Sequence, residues 1–331
     1  MSQPEVDSEV DPEVDKALAV LGDRARRDVP LAPLTTYGVG GRAAVFVRAG
    51  SLDDLKRASE AVAESGLPVL VLGRGSNLLV ADRGFPGLVV TLAADQFSQF
   101  SSIEFLADRV VRAGGAVLLP VLARQTASQD LAGLEWAVGV PGSVGGAIRM
   151  NAGGHGADTS QTLRTCRWLD LRTGELVDVP GAALAFGYRR SAVEDHHVVV
   201  SADYGLTGGD RAASETTIRD IVRWRREHQP GGQNAGSVFT NPPGNAPADS
   251  AGWLVEASGL KGYRRGSAMV SEKHANFIQA DPGGSADDVV ALMLDVQDLV
   301  EKRLGVTLQA EVKLAGFDPV LIRGLMSEPD R

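Results

Sequence analysis

The chain has 331 residues, 44% hydrophobic and 23% charged, a balance that is typical of globular proteins and excludes a fibrous or wholly disordered chain. The formal charge is −9, but residues 1–15 hold six carboxylates and no Lys or Arg, so the near-neutral remainder argues against nucleic-acid binding. The single cysteine excludes a disulfide framework, and five histidines without an HExxH pair indicate no metal site.

The sequence predicts neither a transmembrane helix nor a secretory signal. No run approaches 18 uncharged apolar residues, which excludes a transmembrane helix. Residues 1–15 have neither the basic start nor the apolar centre of a secretory signal. We therefore expect a cytoplasmic protein that does not insert into membranes.

The first 73 residues predict a β-α-β beginning after an acidic tail. The tail, residues 1–15, has no aromatic residue and is predicted to be disordered; a short helix over 16–26 follows. Residues 43–49 predict a strand. Ser51 and Asp54 have capping-box spacing, so a helix is expected from Ser51 to the Gly66 stop. A strand over 69–73 comes next.

Short apolar runs between turns then predict strands from residue 88 to 205. Two helices are predicted afterwards, over 214–228 and 285–304, the second with a capping pattern at Ser285 and a stop at Gly305. A strand over 306–316 closes the chain. Because helices and strands do not alternate strictly, the pattern predicts an α+β fold and not a doubly wound sheet.

The first glycine loop, residues 72–79, reads LGRGSNLL and follows a predicted strand. Gly73 and Gly75 permit positive φ, and successive amides in such a turn can bind an anion. The loop departs from the Rossmann pattern because its third glycine is missing and Asp82-Arg83-Gly84 interrupts any following helix; it also lacks the Lys of a P-loop. Phosphate binding and an ordinary strand-turn-strand remain open.

The second glycine-rich segment runs over 133–156 and contains PGSVGGA and NAGGHG. So much backbone without side chains indicates close approach either by a large flat ligand or by another segment of the chain. Two such loops about 70 residues apart are compatible with a dinucleotide held between two subdomains. Tight turns that pack on one another are the alternative.

Seven stretches in the same order resemble the UDP-N-acetylenolpyruvoylglucosamine reductase family, whose members are flavoenzymes of bacterial cell-wall synthesis. They span residues 34–316 and read LTTYGVGGRA (34–43), LGRGSNLLV (72–80), GLEWAVGVPGSVGGAIRMNAGG (133–154), GYRRS (187–191), RREHQP with NAGSVFTNP (225–230 and 234–242), AGWLVEASGLKGYRRGSAMVSEKHANFI (251–278) and LQAEVKLAG (308–316).

The resemblance implies an α+β fold with a two-subdomain FAD-binding domain of the vanillyl-alcohol oxidase type, followed by an α+β substrate-binding domain. On this basis residues 1–26 are the tail and short helix. The FAD domain covers 27–205, with subdomains over about 27–80 and 81–205; the substrate domain covers 206–318, and 319–331 are a C-terminal tail. The expected protein is a monomer with non-covalent FAD and a small-molecule UDP-sugar substrate.

The implied reaction is the NADPH-dependent reduction of an enolpyruvyl ether to a lactyl ether through FAD. Arg189 matches the family's arginine, whose guanidinium suits a carboxylate that gains charge. Ser237 matches the proton donor, which needs a strongly basic carbanion-like acceptor because serine is a very weak acid. Glu311 matches the last catalytic position, whose role in the family is a hydrogen-bonding partner at the carboxylate of the intermediate. Judged alone, the three residues fit a solvated strand end, a turn serine and a surface glutamate.

The remaining site residues follow from the same motifs. Cofactor contacts are expected at Gly73, Arg74, Gly75, Ser76, Asn77, Leu78, Pro141, Gly142, Ser143, Gly145, Gly146, Asn151 and Gly153. Substrate contacts are expected at Tyr188, Arg225, Arg226, Asn241 and Lys261, with Arg264 and Arg265 as further candidates. For the arginines, a solvated helix face is the alternative.

Three departures from the family pattern limit the resemblance. His155 stands where the family commonly has tyrosine. Gln309-Ala310 precedes Glu311 where an acidic residue followed by Pro or Arg is more usual. The short spacing between Arg189 and Ser237 leaves no room for the long tyrosine-bearing loop of one subgroup. An FAD-dependent oxidase of the same fold and a non-catalytic flavin or nucleotide binder remain alternatives to the reductase.

Overall fold

The computed structural model describes residues 11–95, 98–244 and 249–326. Its first part is a four-stranded sheet of order β1-β2-β5-β3, parallel except for the antiparallel β1–β2 pair. The elements are α1 (Pro12–Leu21), β1 (Ala25–Pro30), β2 (Arg42–Ala49), α2 (Leu52–Ser65), β3 (Val69–Val71), β4 (Leu78–Val80) and β5 (Phe85–Leu92).

The second part is an antiparallel five-stranded sheet of order β12-β11-β13-β7-β6, with α3 and α5 packed beside it. The elements are β6 (Ile103–Phe105), β7 (Val110–Gly114), α3 (Leu119–Ser128), β8 (Leu131–Ala132), α4 (Val144–Arg149), β9 (Gly153–Gly154), β10 (Ala157–Asp158), β11 (Leu163–Asp170), β12 (Leu176–Pro180), β13 (His197–Gly205), β14 (Thr207–Gly208) and α5 (Arg211–His228).

The third part is an antiparallel three-stranded sheet, β15-β16-β17, covered by the long helix α7. Its core also contains Tyr37 and Leu79 from the first part, and β18 pairs in parallel with β4. The elements are α6 (Ala251–Ala257), β15 (Arg264–Arg265), β16 (Ala268–Val270), β17 (Ile278–Ala280), α7 (Ala286–Leu304), β18 (Lys313–Ala315) and α8 (Pro319–Ile322).

Local start and stop signals account for most of these boundaries. The Ser51 hydroxyl accepts the Asp54 N–H while the Asp54 carboxylate accepts the Ser51 N–H, as the capping-box spacing predicts, and Gly66 ends α2 at φ 72°. At α7 the Ser285 hydroxyl accepts the Asp288 N–H, but the Ser285 N–H donates to the Ser267 hydroxyl, so the capping box is not completed. The α+β class is confirmed. The domain limits at residues 26, 205 and 318 stay predictions.

The N-terminal helix begins earlier than the sequence predicts. It covers Pro12–Leu21, not 16–26, because Asp11 caps it and Pro12 occupies its first position. Val14, Ala17 and Leu21 are buried in a core that includes α2, so part of the acidic segment is ordered helix. Residues 1–10 of the predicted tail lie outside the described residues.

The predicted strand over 306–316 is wrong for most of its length. Only Lys313–Ala315 form a strand, because the preceding residues bond in several directions. The Ala310 N–H donates to the Leu325 carbonyl and the Glu311 N–H to that of Val238. Glu311 therefore lies in an irregular segment before the strand, where alternation does not set the direction of its side chain.

Candidate active site

A cavity of about 590 Å³ lies where the three parts of the fold meet, within the usual size range of small-molecule sites. Its walls include all three predicted catalytic residues and most of the predicted cofactor residues. These are Gly73, Arg74, Gly75, Ser76, Asn77, Leu78, Pro141, Gly142, Ser143, Gly145, Gly146, Gly153, Arg189, Ser237 and Glu311.

The first glycine loop offers backbone donors to this cavity. The N–H groups of residues 73–77 donate no hydrogen bond within the part of the chain that the structure describes. Gly75 has φ 65°, and a Cβ there would lie 2.4 Å from the Leu34 carbonyl oxygen, so the neighbouring chain itself requires this glycine. A run of unsatisfied amides at a cavity wall is suited to an anionic group such as a phosphate.

The second glycine loop lies beside the first in the cavity wall. A Cβ on Gly73 would lie 2.8 Å from the Ser143 hydroxyl oxygen, so the two loops approach closely. Gly142 differs, since a Cβ there would meet only ordinary contacts at 3.6 Å or more. The chain therefore tolerates a side chain at Gly142, and its absence keeps the cavity wall flat.

Arg189 and Glu311 form an ion pair in the cavity wall. Arg189 Nε lies 2.8 Å from Glu311 Oε1, and the side chains are 25% and 13% exposed. Arg189 also donates from Nη2 to the Gly153 carbonyl at 3.2 Å, and its backbone has φ 56°. A non-glycine residue at positive φ is uncommon and is held in place by its surroundings. The guanidinium is thus fixed to two partners, with donors left for a ligand.

The position of Glu311 depends on contacts from distant parts of the chain. Its N–H donates to the Val238 carbonyl at 2.7 Å, and its carbonyl accepts from the Asn77 side chain at 3.1 Å. Burial raises the pKa of Glu311, and the Arg189 charge and hydrogen bond oppose this rise. The surface-glutamate alternative is wrong, because this carboxyl group is largely buried.

Ser237 lies in the same wall, one residue before Val238. Gly236 has φ 79°, and its N–H donates to the Asn234 side chain at 3.1 Å, which forms the turn that precedes the serine. Since Val238 bonds Glu311 directly, the serine and the carboxyl group belong to adjoining, hydrogen-bonded segments. The structure brings together the three residues that the family motifs single out.

Asn276 fixes this segment and was missed by the sequence reasoning. It is 4% exposed; its side chain accepts the Phe239 N–H at 3.0 Å and donates to the Phe239 carbonyl at 2.8 Å. Its own carbonyl accepts the Val238 N–H at 2.8 Å. Asn276 stands in the matching stretch KHANFI, which was the available signal, although no local pattern gives it this contact.

Lys313 is a second residue of the cavity that sequence reasoning missed. The residue as a whole is exposed, yet desolvation and the nearby Arg149 charge lower the pKa of its ammonium group, opposed by Asp195. Lys313 adds positive charge two residues beyond Glu311.

The predicted substrate residues are only partly brought together. Arg225 lines the cavity, and burial lowers its pKa. Tyr188 is 57% exposed, with the Arg189 guanidinium carbon 5.0 Å from its ring centre. Among the described residues, Tyr188, Arg226, Asn241 and Lys261 do not line the cavity. Their substrate contacts stay predictions.

Several polar candidates are engaged elsewhere. The Asn241 side chain accepts the Ala251 N–H at 3.0 Å, and Lys261 Nζ lies 2.6 Å from Glu256. Arg264 pairs with Asp281, and Arg265 pairs with Asp295. Asn151, a predicted cofactor residue, donates to the Gly187 carbonyl at 3.0 Å and accepts the Ser160 N–H at 3.1 Å. It thereby holds the loop that carries Arg189.

Asp170, His196 and His197 form a cluster whose ligand atoms lie within 4.8 Å of one another. The Glu194 N–H donates to His197 Nδ1 at 3.0 Å. A neutral His197 therefore carries its proton on Nε2, which has no lone pair for a metal in that tautomer. In this tautomer the cluster keeps two possible ligand residues, Asp170 and His196.

Glu311→Gln is expected to change how stability depends on pH. Because the folded-state pKa of Glu311 lies above its ordinary value of 4.5, the native state holds this proton more tightly than the unfolded state, and the wild type loses stability as pH rises from about that value through the raised pKa. Glutamine does not titrate.

Melting temperatures of the wild type and Glu311→Gln, measured over a pH series, provide the test. The substitution also removes the ion pair with Arg189, which offsets the difference in melting temperature between the two proteins. The dependence of that difference on pH reports the titration of the Glu311 carboxyl group. The melting temperature of the wild type should fall relative to that of the variant as pH rises through the raised pKa of Glu311. A difference that stays constant across the acidic and neutral range would show that burial does not perturb Glu311.

Within the described residues, no helix is both long and apolar enough to cross a membrane. Two family models match the chain: "FAD binding domain" over residues 43–180 and "UDP-N-acetylenolpyruvoylglucosamine reductase, C-terminal domain" over 228–315. The chain therefore has an FAD-binding domain, in agreement with the prediction of FAD as cofactor.

Curated relatives and a solved structure agree with these models. The UDP-N-acetylenolpyruvoylglucosamine reductase of Rubrobacter xylanophilus is 41% identical over 91% of this chain and 99% of its own length. Reductase 2 of Symbiobacterium thermophilum is 43% identical over 89% and 94%. The crystal structure of the Thermus caldophilus enzyme aligns with a TM-score of 0.75 at 34% identity, over 88% of this chain and 99% of that one. The chain belongs to the UDP-N-acetylenolpyruvoylglucosamine reductase family.

Proposed function

We propose that the protein is an NADPH-dependent flavoenzyme that reduces UDP-N-acetylglucosamine enolpyruvate to UDP-N-acetylmuramate, a peptidoglycan precursor, in the cytoplasm. The observation that carries the proposal is the placement of Arg189, Glu311 and Ser237 in a cavity that two glycine loops also line. Such a site combines a cation for a carboxylate, a neighbouring carboxyl group and a hydroxyl donor.

The glycine loops are suited to hold FAD without a covalent bond. The free amides of residues 73–77 fit its diphosphate, and the bare wall at Gly142 fits a flat ring system. FAD held by these loops would supply the redox chemistry, with NADPH as the source of the hydride and the methylene carbon of the enolpyruvyl group as its acceptor. The residues of the chain bind the substrate, hold its charge and deliver the proton.

Arg189 is placed to bind the substrate carboxylate, because Nε and Nη2 are anchored to Glu311 and Gly153 and the outward donors are available. Negative charge grows on that carboxylate during the reaction, and a fixed cation in a desolvated wall stabilises it. The arrival of a second carboxylate beside Glu311 favours the protonated form of Glu311, whose pKa burial already raises. A protonated Glu311 can donate a hydrogen bond to the same charge.

Ser237 is the proposed proton donor to the carbon next to the carboxylate. Its hydroxyl belongs to a segment that Asn276 and Glu311 hold by backbone and side-chain hydrogen bonds, so the donor is preorganised. A serine hydroxyl is a weak acid, but a carbanion-like centre is basic enough to take its proton. Glu311 and Arg189 then keep the charge of the carboxylate balanced.

The proposal is tested with purified, flavin-loaded protein under anaerobic conditions. NADPH should bleach the flavin absorbance, and the enolpyruvyl sugar should restore it with formation of the lactyl ether. Flavin that NADPH does not bleach would indicate a passive binder. Bleached flavin that recovers quickly in air and not with the sugar would indicate an oxidase.

Gly142→Val is expected to empty the cofactor site without unfolding the protein. A Cβ at Gly142 meets no protein atom closer than 3.6 Å, yet a valine would stand in the cavity wall where the flavin is proposed to lie. The matched control is Gly154→Val, where a Cβ meets nothing within 4 Å and which is outside the described cavity wall. The flavin-to-protein absorbance ratio measures the outcome. Equal flavin content in both variants would move the cofactor away from this loop.

A further inference from the structure

The aromatic cluster consists of Trp224 and His228, on the C-terminal half of α5, and His155, which contacts Trp224 from outside the helix. The Trp224 ring stacks on His228 with centres 4.7 Å apart and planes at 13°. The ring of His155 meets Trp224 edge-on, with centres 5.1 Å apart and planes at 88°. The cluster therefore joins α5 to the turn between β9 and β10, which carries His155 at φ 55°.

The aromatic cluster borders the cavity. A Cβ on Gly139, which lines the cavity, would lie 3.3 Å from His155 Nε2. Arg225, between Trp224 and His228 in sequence, also lines the cavity and donates to Gln229 at 2.8 Å. The rings are thus at the rim of the site, beside a cation that faces inward.

The aromatic cluster is exposed to solvent, and it offers ring surfaces and a hydrogen-bond acceptor to a planar ligand. Trp224 remains 42% exposed despite its two ring contacts, and His155 and His228 are exposed as well. His228 Nδ1 lies 2.8 Å from the Trp224 carbonyl; because a carbonyl only accepts, this nitrogen carries the proton, and Nε2 of the neutral ring can accept a hydrogen bond. Burial, reinforced by the Arg225 charge, lowers the pKa of His155, which favours its neutral form.

We propose that the aromatic cluster is a stacking site for a nucleotide base at the rim of the cavity, with Arg225 beside it for the attached phosphates. Stacking on aromatic rings suits any base because every base has a π face. The inference rests on the proposed function, in which the UDP-sugar and NADPH each join a base to a diphosphate.

The test uses oxidised, flavin-loaded protein and two probes, UDP and NADP⁺, whose dissociation constants are measured by calorimetry. Trp224→Ala should weaken at least one of them on the order of tenfold, the scale of one base stacked on one aromatic ring. Trp224→Phe keeps a ring and should recover most of the affinity. Trp253→Ala is the matched control, since Trp253 is 46% exposed and outside the described cavity wall.

Each outcome decides the inference. Weaker binding of UDP alone assigns the cluster to the sugar nucleotide, weaker binding of NADP⁺ alone assigns it to the reductant, and loss of both assigns it to a shared site. Unchanged binding of both probes to Trp224→Ala overturns the stacking site. That result leaves the proposed function intact if the wild type still turns over, whereas a wild type that binds neither probe overturns both.

Discussion

Ser237→Ala should slow the reoxidation of reduced enzyme by the enolpyruvyl sugar by roughly 10²-fold or more, the usual scale for a positioned acid catalyst. The substitution removes one hydroxyl and leaves the Gly236 turn and the backbone bonds of Val238 in place. Flavin content should therefore be unchanged. Reduction by NADPH should also stay near wild type, because it moves no proton to the sugar.

Stopped-flow measurement of the two half-reactions decides this prediction. Ser237→Cys serves as a comparison, since a thiol keeps a proton donor at the same position and should recover part of the rate. If Ser237→Ala is reoxidised by the sugar as fast as the wild type, another group or water donates the proton. If both half-reactions slow together, the serine supports the fold of the site.

Arg189→Lys should lower the same half-reaction on the order of 10²- to 10³-fold, as expected for loss of a donor that stabilises developing charge. Lysine keeps the charge but cannot span Glu311 and Gly153 at once, as the guanidinium does. Glu311 would then lose its bonded partner in a buried wall. Reduction by NADPH should be affected much less.

Arg167→Lys is the matched control, because Arg167 makes a similar fork to Asp178, with both contacts at 2.6 Å, on β11 outside the described cavity wall. It should leave both half-reactions near wild type. If Arg189→Lys slowed NADPH reduction and sugar reduction equally, Arg189 would support the nicotinamide site or the fold instead of the substrate carboxylate.

The elements that the sequence predicts well are those with local signals. The Ser51 cap, the Gly66 stop and the Ser285 cap each act within one helical turn, so residues a few positions apart contain the necessary information. At the N-terminal helix two sequence signals conflict, because the acidic composition of residues 1–15 favours disorder and the Asp11-Pro12 start favours a helix. Its burial depends on α2, which composition cannot show.

The local sequence pattern does not predict where the Arg189–Glu311 ion pair lies. The sequence around Glu311 predicts a strand, but hydrogen bonds to Asn77, 234 positions away, and to Val238 set the position of Glu311. Only the resemblance to the family singled out Arg189, Ser237 and Glu311, and the structure then brought them into one wall. Asn276 and the contact of His155 with Trp224 depend on distant segments, so neither pattern nor spacing reveals them.

The most direct test of the account is a crystal structure of the protein with FAD and the enolpyruvyl sugar. We expect the flavin ring against Gly142, the substrate carboxylate on the outward donors of Arg189, and the Ser237 hydroxyl within hydrogen-bonding reach of the carbon that is protonated. Enolpyruvyl sugar bound away from Arg189 would contradict the proposed site. So would a Ser237 hydroxyl that lies too far from the protonated carbon to give it a proton.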